Sequence, residues 1–566
     1  MTGVAVGNIG ATGMVRETWL RNLRSTLMLV VTLILPLMAI LHGIQNGEFS
    51  YNVDETQHAV TGLYVADLLR DHPLANPVQY THHYYAQYPA LSGVIHWPPF
   101  FYLWEGLSFL TLGPTVSAAR LTIAFFAVVG LYFYYRLVRE VQEEWTAALA
   151  TVFLALAPSV LLFEKTVMLE IPSLSLCLGA LFFWRRYLFG ERKNDIYWAA
   201  VFASLAMLTK QNSIFLVPFF LLSGLWIHGW PLLRRSEVVR ASMVALVITS
   251  PFYILVYLVH WKTIAMDLED TSVSGLQRLI FYWQALPHQL GWVLLLLSMI
   301  GVLTNRRWDR SRSGGIMLMW IAACYLTFTF IGLKESRYIL YWLPAFVYFA
   351  AGLLTRFFRK PPLRLMAGAA AIVVLAMSLG SAWAFHRPFV SGYDSVAKTI
   401  IQLDRPGVVL FDGPLAGNFI FFMRANDPQR RYVVLRKALY VYRIKESGGS
   451  VELIHNREQL EGLIRNNGVR FVVLSDRRNL RFVSQQLLRD LVTTPEFRQV
   501  GSFPVSGNDL PNGNTGLLVF ENLNWAPPLD KFLRIRMLTL GQDIVVPFGD
   551  FKFAQSQAGT TPSQGK

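Results

Sequence analysis

The 566-residue sequence has few charged residues and almost no cysteine. Asp, Glu, Lys and Arg make up 15% of the chain, against roughly 25% in a typical soluble domain. The two cysteines, Cys177 and Cys324, both lie inside apolar runs, which argues against a structural disulfide. The segment after Pro388 contains no internal repeat and no glycine-rich phosphate loop. The low fraction of charged residues argues against a soluble protein, and the positions of the cysteines argue against a disulfide-stabilised one.

What the sequence has in abundance is hydrophobic length. Hydrophobic residues make up 53% of the chain, and the mean hydropathy is +0.38. Apolar runs of this kind, with their flanks, are long enough to cross a hydrocarbon layer of ~30 Å. The first run is predicted to remain as an anchor, because no small-residue cleavage site follows it. About 11 spans are predicted, at 25–45, 116–136, 145–163, 171–188, 196–209, 213–230, 241–260, 290–304, 315–332, 338–355 and 365–385.

Basic residues in the connections predict the orientation of these spans. If the N-terminus is cytoplasmic, every cytoplasmic connection is basic and the opposite side carries the carboxylates. The net charge of +15 is then largely a topology signal, and no nucleic-acid partner is needed to explain it. We therefore predict a multi-pass protein of the inner (plasma) membrane. The cytoplasmic basic residues include Arg21, Arg24, Arg136, Arg139, Arg185, Arg186, Arg234, Arg235, Arg306, Arg307, Arg356 and Arg359.

The sequence changes character after Arg387. Short β-type runs at 407–411, 432–435 and 469–474 alternate with helical patterns such as 456–466. This alternation predicts a small α/β domain with an open sheet, which an odd number of spans places outside the cytoplasm. The predicted fold class is a polytopic α-helical membrane protein with a C-terminal extracytoplasmic α/β domain. The predicted divisions are 1–387, 388–552 and a disordered polar tail at 553–566.

An acidic pair lies in the first outer loop, residues 46–115. Asp54 and Glu55 follow the first span, and apolar residues on one face after them predict a helix lying in the membrane interface. Two adjacent carboxylates at the mouth of a span are costly to place there. Asp54 with Gln57 also fits the pattern of an N-cap with a capping box. The catalytic and the capping interpretations both remain open at this point.

Histidines in the same loop are candidates for metal ligands. The His82-His83 pair is predicted to lie in a solvated loop in preference to binding a metal ion. His96 is nearer the acidic pair and is predicted to be structural or to contact substrate. The Pro-Pro pair that follows His96 introduces a second predicted interfacial helix, which is rich in aromatic residues as the headgroup region favours.

Five short motifs occur in a fixed order over residues 25 to 385, namely Asp54-Glu55-Thr56, Trp97-Pro98-Pro99, Met168-Leu169-Glu170-Ile171-Pro172, Leu208-Thr209-Lys210 and Glu335-Ser336-Arg337-Tyr338. By these motifs the chain resembles the C-type glycosyltransferase superfamily. Within that superfamily it is similar to the branch of protein O-mannosyltransferases and lipid A aminoarabinose transferases. The aminoarabinose transferases usually have Lys where this chain has Trp97, and Asp is frequent where it has Glu170, so the resemblance does not assign the sugar.

The resemblance implies transfer of a sugar from a polyprenyl-phosphate donor to an acceptor hydroxyl of a protein, lipid or envelope glycan on the outer face. A carboxylate would act as base on the hydroxyl, and cations would hold the phosphate leaving group. No cofactor is certain, and a divalent metal ion on carboxylate oxygens stays open. The implied roles are catalysis for Asp54 and Glu55, acceptor or metal positioning for Glu170 and His96, and donor phosphate binding for Lys210, Arg337 and Tyr338.

Other interpretations of the same residues remain. Lys210 and Arg337 could snorkel to the interface, and Arg337 could form a salt bridge with Glu335. The whole chain could instead be a transporter or a flippase for lipid-linked sugars, although the two halves show no inverted repeat. A third alternative is a noncatalytic assembly protein that binds partners through its C-terminal domain.

Overall fold

A computed structural model describes residues 9–554, except 74, 92–95, 270–272, 274, 306–312, 443–449, 478–479, 512 and 538–541. The chain divides into two compact units. The first comprises Met1–Ile44, Ile123–Leu255 and Ile264–His386, and the second comprises Gln45–Thr122, Val256–Thr263 and Arg387–Lys566. The first outer loop, 46–115, therefore groups with the C-terminal residues and not with the spans. Residues 555–566 of the predicted disordered tail lie outside the described residues.

Helices form most of the described chain, and they follow the apolar runs of the sequence. In chain order they are α1 Ile9–Leu41, α2 Val53–Asp71, α3 Pro77–Gln87, α4 Phe100–Leu112, α5 Val116–Arg139, α6 Glu144–Ala155, α7 Pro158–Glu164, α8 Glu170–Leu188, α9 Asp195–Met207, α10 Leu216–His228, α11 Ser236–Glu269, α12 Leu276–Leu290, α13 Trp292–Thr304, α14 Ser313–Phe330, α15 Leu343–Phe358, α16 Arg364–Ala384, α17 Tyr393–Gln402, α18 Ala416–Asn426, α19 Arg457–Asn466 and α20 Val483–Val492. The helices predicted after Asp54 and after Pro99 are present as α2 and α4, and their position in the membrane interface stays a prediction.

Within the described residues, seven helices are long and apolar enough to cross a membrane, and nine spans result if each of two bent pairs counts as one. Helices α6 and α7 meet at 68°, where Pro158 begins the second helix, and α12 and α13 meet at 117° around Gly291. Proline and a positive-φ glycine both interrupt a helix. The chain is a multi-pass membrane protein, and the count of about 11 spans is not confirmed.

The second unit contains the predicted open sheet. Six strands lie in the order β1-β7-β8-β6-β2-β3, in which β6, β2 and β3 are parallel and the other neighbours are antiparallel. The predicted runs form β2, β3 and β6, and the predicted helix is α19. The long antiparallel strands β7 and β8 were not predicted. The strands are β1 Val390–Ser391, β2 Val408–Asp412, β3 Val433–Leu435, β4 Tyr440–Tyr442, β5 Ser450–Glu452, β6 Val469–Ser475, β7 Phe497–Gly507, β8 Thr515–Asn522, β9 Phe532–Met537 and β10 Gln542–Pro547.

A buried ion pair joins α2 to α18 within the second unit. Arg424 Nε donates to Asp67 Oδ2 at 2.7 Å, and a second guanidinium nitrogen donates to Oδ1 of the same carboxylate. The Tyr84 hydroxyl adds a third donor to Asp67 at 3.0 Å. Asp67 is 1% exposed and Arg424 is 3% exposed. Charges can be buried this deeply only when hydrogen bonds satisfy them, as this bidentate geometry does.

Close packing between the same two helices accompanies the ion pair. A Cβ atom at Gly417 of α18 would overlap the side chain of Thr56 in the first turns of α2. Glycine is therefore needed at this position for the backbone of α18 to approach α2. The helix that begins with the acidic pair is thus fixed against α18 at both its start and its end.

We predict that Arg424→Met strongly destabilises the protein, because the buried Asp67 then loses its bidentate partner and keeps only Arg70, at 3.3 Å, as a salt-bridge partner among the described residues. Removing one member of a buried ion pair costs about 3–5 kcal/mol. Thermal unfolding of the purified protein in detergent measures the effect. Lys398→Met is the matched control, since the Lys398–Asp394 pair is exposed and worth about 0–1 kcal/mol. Equal stability of the two variants would contradict the structural role of the buried pair.

Candidate active site

Asp54 lies in the first turn of α2 but does not cap it. Asn52 is the N-cap residue, and its side-chain oxygen accepts a hydrogen bond from the backbone N–H of Asp54 at 3.0 Å. The capping interpretation of Asp54 and Gln57 is therefore wrong. The helix already has a good N-cap in Asn52. Asp54 itself is half-buried.

Glu55 is placed differently from its neighbour. Its side chain is 1% exposed, and Oε2 accepts the backbone N–H of Ser50 at 2.7 Å. Arg120 binds the same loop from α5, with hydrogen bonds to the carbonyl oxygens of Asn46 at 3.0 Å and Glu48 at 2.5 Å. These contacts order the loop that leads into α2. Arg120 was not identified from the sequence, because it lies inside an apolar run.

Glu105 of α4 is a further acidic residue that sequence reasoning missed. It is fully buried, and its carboxyl group accepts no hydrogen bond from any described residue. It packs against α2 at Gly62, where a Cβ atom would overlap the carboxyl group. Burial, and then the nearby charge of Glu55, raise the pKa of Glu105 well above its usual range. A single Glu in the otherwise apolar α4 was the available signal.

The histidines of the first outer loop have structural surroundings. The His96 ring contacts Trp97 edge-on at 4.7 Å between centroids, and Trp97 in turn contacts His58 at 5.6 Å. His83 belongs to α3, and its Nε2 lies 3.1 Å from Asp550 Oδ2. The prediction that the His82-His83 pair lies in a solvated loop is therefore wrong. The role of His96 toward an acceptor remains a prediction.

A second cluster lies in the first unit, where three sequence-predicted residues meet. Glu170 begins α8, Lys210 immediately precedes the 3-10 helix Gln211–Phe215, and Arg337 lies in the 3-10 helix Ser336–Trp342. Lys210 Nζ is 2.6 Å from Glu170 Oε1, and Arg337 Nε is 3.7 Å from the same oxygen. Arg337 Nε also lies 2.5 Å from Glu335 Oε2. One carboxylate therefore holds two cations together.

Burial distinguishes the members of this cluster. The side chains of Lys210 and Glu170 are 3% and 1% exposed, whereas that of Glu335 is 38% exposed. The snorkelling interpretation of Lys210 is wrong, since its ammonium group is buried. Tyr338 lies beside both cations, with Lys210 Nζ 5.9 Å and Arg337 Cζ 5.8 Å from its ring centroid. The predicted salt bridge between Arg337 and Glu335 is present.

The divalent metal ion that the sequence leaves open has no matching donor set in the described part of the chain. No group of three or more His, Cys, Asp and Glu side chains there is arranged to hold a metal ion. The Glu55 carboxylate accepts a backbone N–H, and the Glu170 carboxylate accepts from Lys210. Both carboxylates therefore already have hydrogen-bond donors, whereas hard cations prefer several oxygen ligands. We therefore assign no step to a metal ion.

Comparison with known proteins agrees with the resemblance seen in the motifs. Residues 96–255 match the family described as dolichyl-phosphate-mannose-protein mannosyltransferase. An uncharacterised protein of Aquifex aeolicus is 24% identical over 271 residues, which cover 45% of this chain and 52% of the relative. The chain thus spans about half the length of the curated relative that it matches.

Solved structures share the fold over most of the chain. ArnT from Cupriavidus metallidurans in the apo state has a TM-score of 0.58 at 15% identity, covering 90% of this chain and 98% of ArnT. The apo oligosaccharyltransferase of Archaeoglobus fulgidus has a TM-score of 0.51 at 12% identity, covering 90% and 76%. Mycobacterial arabinofuranosyltransferase AftD has a TM-score of 0.52 at 16% identity, covering 89% and 42%. The chain therefore has the fold of the C-type glycosyltransferases, as the motifs predicted.

The N-cap assignment gives a stability prediction. Asn52→Ala removes the acceptor for the Asp54 N–H and is expected to cost about 1 kcal/mol of stability. Asp54→Asn keeps that backbone contact and should change stability by less than about 0.5 kcal/mol. Thermal unfolding in detergent compares the two variants. A larger loss in Asp54→Asn than in Asn52→Ala would contradict the assignment.

Proposed function

We propose that this protein transfers a sugar from a polyprenyl-phosphate donor to an acceptor hydroxyl at the outer face of the inner (plasma) membrane. The observation that carries the proposal is the buried cluster of Glu170, Lys210 and Arg337 in a fold shared with glycosyltransferases. A structure of ArnT bound to undecaprenyl phosphate has the same fold, with a TM-score of 0.54 and 14% identity over 87% of this chain.

Lys210 and Arg337 bind the donor phosphate in this proposal. Two cations held a few ångströms apart by one buried carboxylate are already oriented, so that little reorganisation accompanies the build-up of charge on the leaving phosphate. Glu335 is the partner that the phosphate displaces from Arg337, because its side chain is partly exposed. Glu170 is then a positioning residue, which retains Lys210 throughout. The Tyr338 hydroxyl, which donates to Glu335 at 3.2 Å, becomes free to donate to the phosphate.

Asp54 is the proposed general base. It accepts the proton of the acceptor hydroxyl as the acceptor oxygen forms its bond to the anomeric carbon. The bond from that carbon to the phosphate oxygen breaks, and the electron pair leaves with the phosphate. Glu55 supports the reaction indirectly, because its contact with Ser50 orders the start of α2. This proposal changes the role predicted for Glu55 from catalysis to positioning.

The orientation follows from the basic connections. We propose a cytoplasmic N-terminus, about 11 spans and an extracytoplasmic second unit, since the basic residues then face the cytoplasm. The alternative of a transporter or flippase is not favoured. The solved structures that share this fold over nine-tenths of the chain are glycosyltransferases.

We expect Asp54→Asn to lose about 10²–10⁴ in transfer rate, because an amide cannot accept the proton. The measurement is sugar transfer by the purified protein in detergent, from a crude extract of polyprenyl-phosphate sugars to labelled envelope fractions. Asp394→Asn is the matched control, since Asp394 occupies the same position in the first turn of α17. Near-normal transfer by folded Asp54→Asn protein would eliminate Asp54 as the base.

Donor binding provides a separate prediction. Lys210→Gln and Arg337→Gln remove a positive charge but retain a hydrogen-bond donor beside Glu170. Loss of a charge-assisted contact to phosphate should weaken binding of undecaprenyl phosphate about tenfold to a hundredfold. Arg359→Gln is the control, because Arg359 forms an exposed pair with Glu143. If all three variants bind undecaprenyl phosphate like the unmodified protein, the cluster is not the phosphate site.

A further inference from the structure

A cavity of about 660 Å³ lies in the second unit at the carboxyl ends of the parallel strands. Its walls include the segments that follow β2, β3 and β6, together with residues of α20. This volume is within the range of about 300–1,000 Å³ that small-molecule sites occupy. The cavity also includes Tyr51, Val53, Thr56 and Gln57, which flank Asp54 in the sequence.

The topology of the sheet makes this edge a natural binding position. The chain leads from β2 through α18 to β3 on one side of β2, and it then returns to β6 on the other side. The connections after β2 and β6 therefore diverge and leave a crevice between them. In open α/β sheets, ligands bind in such crevices at the carboxyl ends of the strands. The first residues of α18, Ala416 and Gly417, contribute a helix N-terminus to the same cavity.

The cavity is strongly basic. Asp412 is the one carboxylate among its described lining residues, and it already accepts hydrogen bonds from Tyr440 and Gln485. Arg489 is also engaged, because it donates to the carbonyl oxygen of Ser475 at 2.5 Å. The cationic side chains that line the cavity are Arg436, Lys437, Arg477, Arg481 and Arg489.

Three of these cations form no salt bridge in the described part of the chain, although the charge of Arg477 interacts with the neighbouring Asp476 carboxylate. No described carboxylate forms a salt bridge with Arg436, Lys437 or Arg477. Arg436 and Lys437 are adjacent in the sequence, and both are half-buried. Burial, and then the neighbouring Arg436 charge, lower the pKa of Lys437 to about 7. An arrangement of like charges costs free energy unless an anion joins it. Arginine side chains in particular match the geometry of phosphate and carboxylate groups.

We propose that this cavity binds the phosphate or carboxylate group of an anionic saccharide, which is the acceptor of the transfer reaction. The assignment of this saccharide as the acceptor rests on the proposed function, whereas the assignment of an anion site rests on the cavity alone. Arg436 and Arg477 bind the anionic group, and the polar side chains of Gln57 and Gln485 face the sugar hydroxyls. The position of the cavity beside the residues that flank Asp54 presents a hydroxyl of the bound saccharide to the base.

Calorimetric titration of the full-length protein in detergent tests this site without any donor. The probes are glucose 6-phosphate, glucuronate and glucose. We expect both anions to bind at least tenfold more tightly than glucose. Arg436→Gln and Arg477→Gln should each weaken binding of the anions about tenfold to a hundredfold. Arg457→Gln is the control, because Arg457 is exposed on α19 and pairs with Glu461 outside the cavity.

The outcomes separate this proposal from the proposed function. Equal affinity for glucose and for both anions, or unchanged anion binding in both cavity variants, would overturn the anion site and leave the transferase proposal intact. Thermal unfolding of each variant without ligand shows whether it folds, and either variant alone suffices for the test. If the Asp54→Asn variant transferred sugar normally, the binding result would still hold, since binding requires no catalysis.

Discussion

The buried pair of Asp67 and Arg424 is the interaction on which the arrangement of the second unit depends. It joins the helix that begins with Asp54 to a helix of the sheet domain, although the two residues are far apart in the sequence. Once both charges are desolvated, neither helix can shift without leaving one of them unpaired, which is far more costly than losing an apolar contact. The pair therefore fixes the position of α2 relative to α18.

In the first unit, too, buried charges need partners, but there they form a candidate binding site. The buried Glu170 carboxylate lies close to both Lys210 and Arg337, so that its negative charge offsets their positive charges. The two clusters differ in their carboxylates, because the Glu335 side chain that pairs with Arg337 is 38% exposed, whereas Asp67 is buried and accepts hydrogen bonds from Arg70, Tyr84 and Arg424. A closed pair stabilises a fold, and a pair with one exchangeable partner can accept an anionic ligand. Exposure at one edge of the cluster is thus what distinguishes a candidate site from a structural element.

The sequence predicted what depends on local pattern. Apolar runs became helices, short β-type runs became β2, β3 and β6, and the charged motif residues Glu170, Lys210 and Arg337 were found together. The capping interpretation of Asp54 stayed open in the sequence because Asn52 and Asp54 are both good caps, and backbone geometry alone decides between them. The partners of Asp67 and Glu105 could not be predicted, since they come from helices that only the tertiary fold brings against α2.

The positive charges of the chain show most clearly that sequence pattern does not reveal which distant residues meet. Basic residues between the spans explain much of the net charge of +15 as an orientation signal. The cations of the second unit belong to a different category, because β3, β6 and α20 bring Arg436, Arg477 and Arg489 to one cavity from separate parts of the chain. Orientation requires only that charges lie on one side of a membrane, so their exact positions are free. A cavity that brings several cations together requires exact positions, and for that reason its charges indicate a ligand and not a topology.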